Sequence, residues 1–222
     1  MKVCTDACLF GAWTTSNIII KELPSSNILD IGAGTGLLSL MLAQQLKKSI
    51  IRAVEVDTAA VRQASENFAA SPWRDQLKVF NTSIQSFSPA QQYDFIITNP
   101  PFFQNNLASP NAQRNVALHG HQLSLEELVA AIQMHLSAKG HFAVLLPYHR
   151  TPLFETLALS VGFYLHQKTL VQQTSTHSFF RSMLLFGREQ KTCEQMTIII
   201  KDVRGDYTDA FVSLLKDYYL YL

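Results

Sequence analysis

The feature that most constrains the fold of this 222-residue chain is the regular alternation of short apolar runs with amphipathic stretches. A chain that alternates the two builds βαβ units and buries a parallel sheet between helices. Residues 27–31 (NILDI) read as a buried strand, 32–36 as a tight loop and 37–47 as a helix; a second strand spans 50–56, with a helix from 58 to about 69. Ser71-Pro72 ends that helix, because proline disfavours helical geometry at the residue before it. A short strand at 77–80 and a stronger one at 93–98 follow, the latter stopped by Pro100 and Pro101. Ser124 with Glu127 three residues on makes a capping box, and the helix it opens is expected to run to Lys139-Gly140. Strands at 141–146, 163–171, 179–186 and 196–201 and helices at 152–160 and 207–220 complete the pattern. With an N-terminal motif and helix at about 1–24, this predicts a doubly wound, mostly parallel α/β sheet of about eight strands and six helices. A single domain is expected over 1–222, with its core at about 25–190 and a C-terminal strand and helix at about 194–222.

Composition excludes several functions. No apolar run approaches the roughly 18 residues needed to cross a bilayer, and Asp6 interrupts the stretch where a secretory signal would be apolar, so a cytoplasmic location is the expectation. Cys4, Cys8 and Cys193 form no CxxC, and His119 and His121 have no further ligand at metal spacing, so no metal is expected. The net charge of +1 makes no global case for nucleic acid. All seven histidines lie beyond residue 100, however, so partial protonation makes that part mildly cationic.

Ligands of such sheets bind beyond the carboxyl ends of the strands. The segment Asp30-Ile31-Gly32-Ala33-Gly34-Thr35-Gly36 occupies that position after the first strand. Alternating glycines let a ligand approach the backbone and expose amides at a helix N-terminus. Glu55, at the end of the second strand and followed by Val56, is placed to accept both hydroxyls of a ribose. Asp57 competes for that role but is better placed to cap the next helix. The pattern G-x-G-x-G, with Leu37 in the sixth place, departs from the dinucleotide fingerprint G-x-G-x-x-G. The D-x-G-x-G-x-G form resembles the first motif of Rossmann-like S-adenosylmethionine methyltransferases. A loop tightened only for strand-to-helix packing stays open as an alternative.

Asn99-Pro100-Pro101-Phe102 leaves the fourth strand at the same sheet edge. The lone pair of an amine on an aromatic base is delocalised into the ring, which makes the amine a poor nucleophile. An Asn99 side-chain oxygen and a Pro100 carbonyl that each accept an N–H bond favour a pyramidal nitrogen. Two prolines hold both acceptors in place before the reaction. Phe102, with Phe103 as its substitute, offers a face on which a flipped base stacks.

Beyond these motifs the chain resembles the bacterial tRNA(Val)-specific adenine-N6 methyltransferases, which act on adenine 37 beside the anticodon. The N-terminal Met1-Lys2-Val3-x-Thr5-Asp6 and Leu9-x-Gly11-Ala12-Trp13 are similar to a motif that closes over the cofactor in that family. Ser71-Pro72-Trp73, Gln113-Arg114, Ala117-Leu118-His119, Tyr207-Thr208-x-Ala210-Phe211 and Tyr219-Leu220 extend the likeness along the chain. The resemblance implies an antiparallel last strand, S-adenosylmethionine as cofactor and a structured tRNA as substrate. By motif, Asp30, Gly32, Ala33, Gly34, Gly36, Glu55, Val56 and Asn99 would hold the cofactor, with Thr5, Asp6, Gly11 and Trp13 near it. Asn99, Pro100, Pro101 and Phe102 would hold the target base. Two departures stand out. Ser83, before Ile84, occupies the place where such enzymes often carry an acidic residue for the cofactor's adenine amino group. The chain also starts at the N-terminal motif itself, where relatives carry a short extension.

Contact with RNA is read onto Arg114 by the resemblance and onto Lys168, Arg181, Arg188 and Lys191 by charge. The C-terminal aromatics Tyr207, Phe211, Tyr218 and Tyr219 repeat at near-helical spacing and are read as core first. No protein partner is expected from the sequence. Two other readings stay open: a methyltransferase acting on guanine N2 or on protein glutamine, and a non-catalytic cofactor- or RNA-binding module.

Overall fold

Residues along each central strand alternate between two apolar faces, so both faces of the sheet need helices to cover them. The computed structural model describes residues 4–100 and 123–221. Its elements run α1 (Thr5–Ile20), β1 (Asn27–Ile31), α2 (Leu37–Gln45), β2 (Ile50–Glu55), α3 (Thr58–Ala70), β3 (Leu77–Asn81) and β4 (Tyr93–Thr98), then α4 (Leu125–His135), β5 (Leu136–Pro147), α5 (Thr151–Ser160), β6 (Tyr164–Gln172), β7 (Arg181–Gly187), β8 (Glu194–Ile199) and α6 (Asp209–Leu215). The strands form one sheet in the order 3-2-1-4-5-7-6-8. The mostly parallel α/β architecture is thus the one expected. The antiparallel strand is β7, slotted between β5 and β6, while β8 lies beyond β6 and parallel to it.

The alternation shows in β5. Ala143 and Leu145 face a core that includes Phe10, Trp13, Leu42 and Phe211 from α1, α2 and α6. Phe142, Val144 and Leu146 face a second core with Leu128 of α4 and Phe154 of α5. In this second core the Phe142 ring stacks on Phe186 at 4.8 Å and meets Phe163 edge-on at 5.0 Å. Such pairs add about 0.5 to 1.5 kcal/mol each beyond the area they bury.

Three boundaries differ from the sequence reading. The Ser124–Glu127 capping box is formed, but α4 ends at His135, four residues before Lys139-Gly140, and these two residues belong to β5. The register between β4 and β5 shifts there. A Cβ on Gly140 would stand 2.7 Å from Leu136 and 3.1 Å from the Asp94 carbonyl oxygen, so the glycine serves a close strand approach rather than a helix stop. The C-terminal helix is also shorter than expected: Thr208 caps it, its Oγ1 accepting from Phe211 N, and it ends at Leu215. Phe211 is fully buried, and Tyr218 and Tyr219 pack against the same core, which bears out the structural reading for these three; Tyr207 departs from it, being 38% exposed and stacked on the Phe211 ring at 4.6 Å. No described helix is long and apolar enough to cross a membrane.

Candidate active site

The parallel strands direct the ends of β1, β2, β3 and β4 to one edge, and the loop after β1 is built there. Its opening amides are already used: Gly32 N and Ala33 N donate to the Val54 carbonyl at 2.9 and 3.2 Å, and Gly36 N donates to the Ala33 carbonyl at 2.9 Å. Gly34 N donates to Glu55 Oε2 at 2.9 Å. The expectation of a row of exposed amides is therefore corrected. With three of its amides bound to β2 and a fourth bound within the loop, the segment leaves few donors for a pyrophosphate, which further disfavours the dinucleotide alternative.

The loop depends on glycine most at Gly36. Its φ is +83°, at the N-terminus of α2, and a Cβ there would stand 2.4 Å from the Phe68 ring. Asn67, one residue earlier on α3, donates from Nδ2 to the Thr35 carbonyl at 2.9 Å. Gly36→Ala is expected to destabilise the protein by roughly 2 to 4 kcal/mol, from left-handed backbone strain plus overpacking. Chemical denaturation checks this: the midpoint falls in the variant and partly recovers when Phe68→Leu is added. An unchanged midpoint would contradict the geometry.

Glu55 holds the position expected of it. Its Oε1 accepts from the N–H groups of Val56 and Asp57 at 2.8 and 2.9 Å, so three backbone donors fix the carboxylate. A carboxylate has about four acceptor sites, which leaves capacity for a hydroxyl group. Asp57 instead caps α3, accepting from Ala60 N at 2.8 Å, as the sequence suggested. Val56 is exposed beside this mouth. Asn81, at the end of β3, donates to the Glu55 and Val56 carbonyls and so holds their backbone in place.

Asp30 is fully buried. Its Oδ2 accepts from the Ser39 hydroxyl at 2.7 Å, while Oδ1 has no partner among the described residues. Burial pushes its carboxyl up to about 7, the Ser39 hydrogen bonds oppose the rise, and the Glu55 carboxylate adds to it. The sequence reading missed Ser39. A serine inside the apolar Leu37–Ala43 run was its available signal, since a buried hydroxyl needs a partner.

On β4, Thr98 Oγ1 donates to the Ile31 carbonyl at 2.9 Å, and Thr98 pairs with Ile31 in register. Half-buried Asn99 and buried Pro100 therefore leave β4 beside the start of the glycine loop. Pro101, Phe102, Phe103, Arg114, His119 and His121 lie outside the described residues, as does Met1–Val3.

The remaining candidates divide. Asp6 is at the start of α1, on the same edge, and pairs with Arg181 at 2.7 Å; Thr5 is adjacent to it. Gly11 lets α1 pack closely on α2, where a Cβ would meet Met41 Sδ at 2.6 Å. The Trp13 side chain has a structural partner. It is turned into the core, its Nε1–H donating to Thr169 Oγ1 at 3.0 Å, because a buried indole must satisfy its donor. Ser83 bonds locally to Ser86, accepting from its N–H at 3.2 Å and donating to its hydroxyl at 3.1 Å, and the Ile84 side chain is buried in the core. Lys168 pairs with Glu155 at 2.5 Å, Lys191 pairs with Glu189 at 2.9 Å, and Arg188 lies over the Phe163 ring. Among the described residues no group of three or more histidine, cysteine or acidic side chains is placed to hold a metal.

This strand order, with an acidic residue ending β2 beside a glycine loop, defines a Rossmann-like class I methyltransferase. Solved structures agree on the fold. A predicted O-methyltransferase from Agrobacterium tumefaciens superposes with a TM-score of 0.67 over 95% of both chains at 13% identity. A glycopeptide N-methyltransferase crystallised with S-adenosylmethionine superposes with a TM-score of 0.58 over 81% of this chain and 94% of that one at 12% identity. Residues 1–146 match the methyltransferase small domain. The tRNA1(Val) (adenine(37)-N6)-methyltransferase of Flavobacterium psychrophilum is 40% identical over 99% of this chain and 93% of its own. The chain belongs to this tRNA1(Val) (adenine(37)-N6)-methyltransferase family.

Proposed function

We propose that this protein transfers a methyl group from S-adenosylmethionine to the exocyclic N6 of an adenine in tRNA, adenine 37 of tRNA1(Val). The observation that carries the reading is the Thr98–Ile31 bond, which sets Asn99-Pro100 beside the loop that follows Asp30. The activity named for relatives that align over almost the whole chain supports the substrate.

The residues present fit the cofactor. Fixed Glu55 has acceptor capacity for a ribose hydroxyl, the buried Asp30 Oδ1 at the end of β1 lacks a partner among the described residues, and the β2-bound amides suit a ligand without phosphates. S-adenosylmethionine supplies an electrophilic methyl group when bound. The chain's own work is then to orient the amine. Asn99 Oδ1 and the Pro100 carbonyl each accept one N–H, which localises the nitrogen lone pair and directs it across the short gap to the loop. The proton lost from the methylated nitrogen passes to solvent, so neither acceptor has to act as a strong base. Phe102 is assigned the stacking face for the adenine by its place in the tetrapeptide.

Incubating the protein with tRNA from cells lacking this modification and with methyl-labelled cofactor, then digesting to nucleosides, tests the reading. Label is expected in N6-methyladenosine at one mapped position. Label in N2-methylguanosine, or only in protein, would refute it.

A further inference from the structure

Beyond the end of β4 the neighbouring strand continues. Thr98 pairs with Val144, and β5 runs three residues further, to Pro147, before it turns through Tyr148–Arg150. β5 runs one strand spacing of about 4.8 Å from β4, so the turn that ends it stands on the rim of the edge where Asn99-Pro100 leaves β4. All three of its residues are exposed.

The turn is braced from the other side. Tyr148 N donates to the Phe180 carbonyl at 3.2 Å, and Phe180 N donates to the Val171 carbonyl at 3.0 Å. The Tyr148 ring packs against Phe179 with centroids 5.4 Å apart at 50°. A tyrosine 43% exposed, with one side supported by a second ring and its backbone tied down, is a preformed face with little left to order on binding. The core does not need it, since it lies outside both apolar clusters.

Charge on this rim is modest. Asp6 is occupied by Arg181. Arg150 is in no ion pair among the described residues, although its field helps to lower the Glu126 carboxyl at the start of α4. A weakly charged rim with a fixed aromatic face suits an unpaired base better than a run of duplex phosphates.

We propose that Tyr148, backed by Phe179, stacks the base adjacent to the methylated adenine in the single-stranded loop, and that Arg150 contacts the phosphate joining the two nucleotides. The inference rests on the reading of tRNA as substrate. It adds a subsite on the side of the active edge away from the cofactor loop.

Binding of unmodified tRNA to the full-length protein tests it, by fluorescence anisotropy across a salt series, beside cofactor affinity and thermal midpoint. Tyr148→Ala is expected to weaken tRNA binding on the order of tenfold, the scale of one lost stack, and Tyr148→Phe to retain it. Arg150→Ala is expected to lower the dependence of log K on log salt by about 0.7, while Lys139→Ala, on the opposite edge of the sheet, leaves it unchanged. Cofactor affinity and thermal midpoint stay put in all of these variants. If the wild-type protein methylates tRNA while Tyr148→Ala binds it as tightly as wild type, the subsite is wrong and the substrate reading stands. If the wild-type protein methylates no tRNA adenine, both fall.

Discussion

Asn99→Ala is expected to lower kcat for tRNA methylation by roughly a hundredfold to a thousandfold, the range seen when one preorganised polar partner of a reacting group is removed. In the proposed mechanism the substitution deletes the side-chain acceptor and leaves the Pro100 carbonyl, so the amine would keep one of its two hydrogen bonds. Its nitrogen then relaxes toward the planar, delocalised form. Asn99→Asp retains an acceptor oxygen, at the cost of a charge near the cofactor, and is expected to fall between wild type and alanine.

Cofactor affinity separates this role from damage to the loop. The loop is held by Gly34 on Glu55, Thr35 on Asn67 and Ile31 on Thr98, and none of these bonds uses the Asn99 side chain. Calorimetric titration of the cofactor into Asn99→Ala should therefore give a Kd within a few-fold of wild type. Single-turnover methylation with both substrates saturating reads the chemical step alone. Wild-type rates in that assay would remove Asn99 from the mechanism, and a matching collapse in cofactor affinity would make holding the cofactor its main role instead.

How far the sequence carried depended on the range of the interaction. The β1 strand, the glycine loop and the Asp57 cap of α3 are set within a few residues of one another, by periodicity and turn chemistry, and all were legible. The start of α4 was legible for the same reason, since a capping box is a three-residue signal. Its end was not. Leu136 leaves the helix to pair with Tyr93, and Gly140 then allows a close approach to Asp94, so a contact distant in sequence outweighed the local reading of Lys139-Gly140 as a stop.

Charge was the least legible property. Lys168 and Arg181 look alike in sequence to any exposed cation, yet Glu155 and Asp6 take them up from other elements. Trp13 has a motif that places it near the cofactor, while its actual partner is Thr169 on β6. Tyr148 carried no pattern at all, because its exposure follows only from β5 outrunning β4 and from the brace supplied by Phe179 and Phe180.

Asp30 provides the largest expected effect on stability, and its sign is unusual for a carboxylate. An aspartate in an unfolded chain titrates near 3.8, whereas burial raises this one to about 7. Between those two values the folded protein holds a proton that the unfolded chain has released, so unfolding releases a proton and rising pH favours it. Stability from this group is complete below about pH 4, falls through the window to about 7, and levels off above it. The difference between those limits is about 4 kcal/mol.

Asp30→Asn removes the titration while keeping an oxygen for the Ser39 hydroxyl. Its amide then faces the site of the unpartnered Oδ1, a cost of roughly 1 to 3 kcal/mol that does not change with pH. Urea denaturation of both proteins without added cofactor, at pH 5 and pH 8, should show wild type losing about 2.5 kcal/mol relative to the variant over that interval. Parallel stabilities at the two pH values would mean that the carboxyl titrates normally. The same substitution is expected to weaken cofactor binding at least tenfold, because a neutral amide replaces the carboxylate that the loop buries beside Glu55. If Asp30→Asn weakens binding as expected, a residue that costs folding energy in the pH range where it is charged would be one the ligand requires there, and the loop would be organised around its ligand rather than around its own packing.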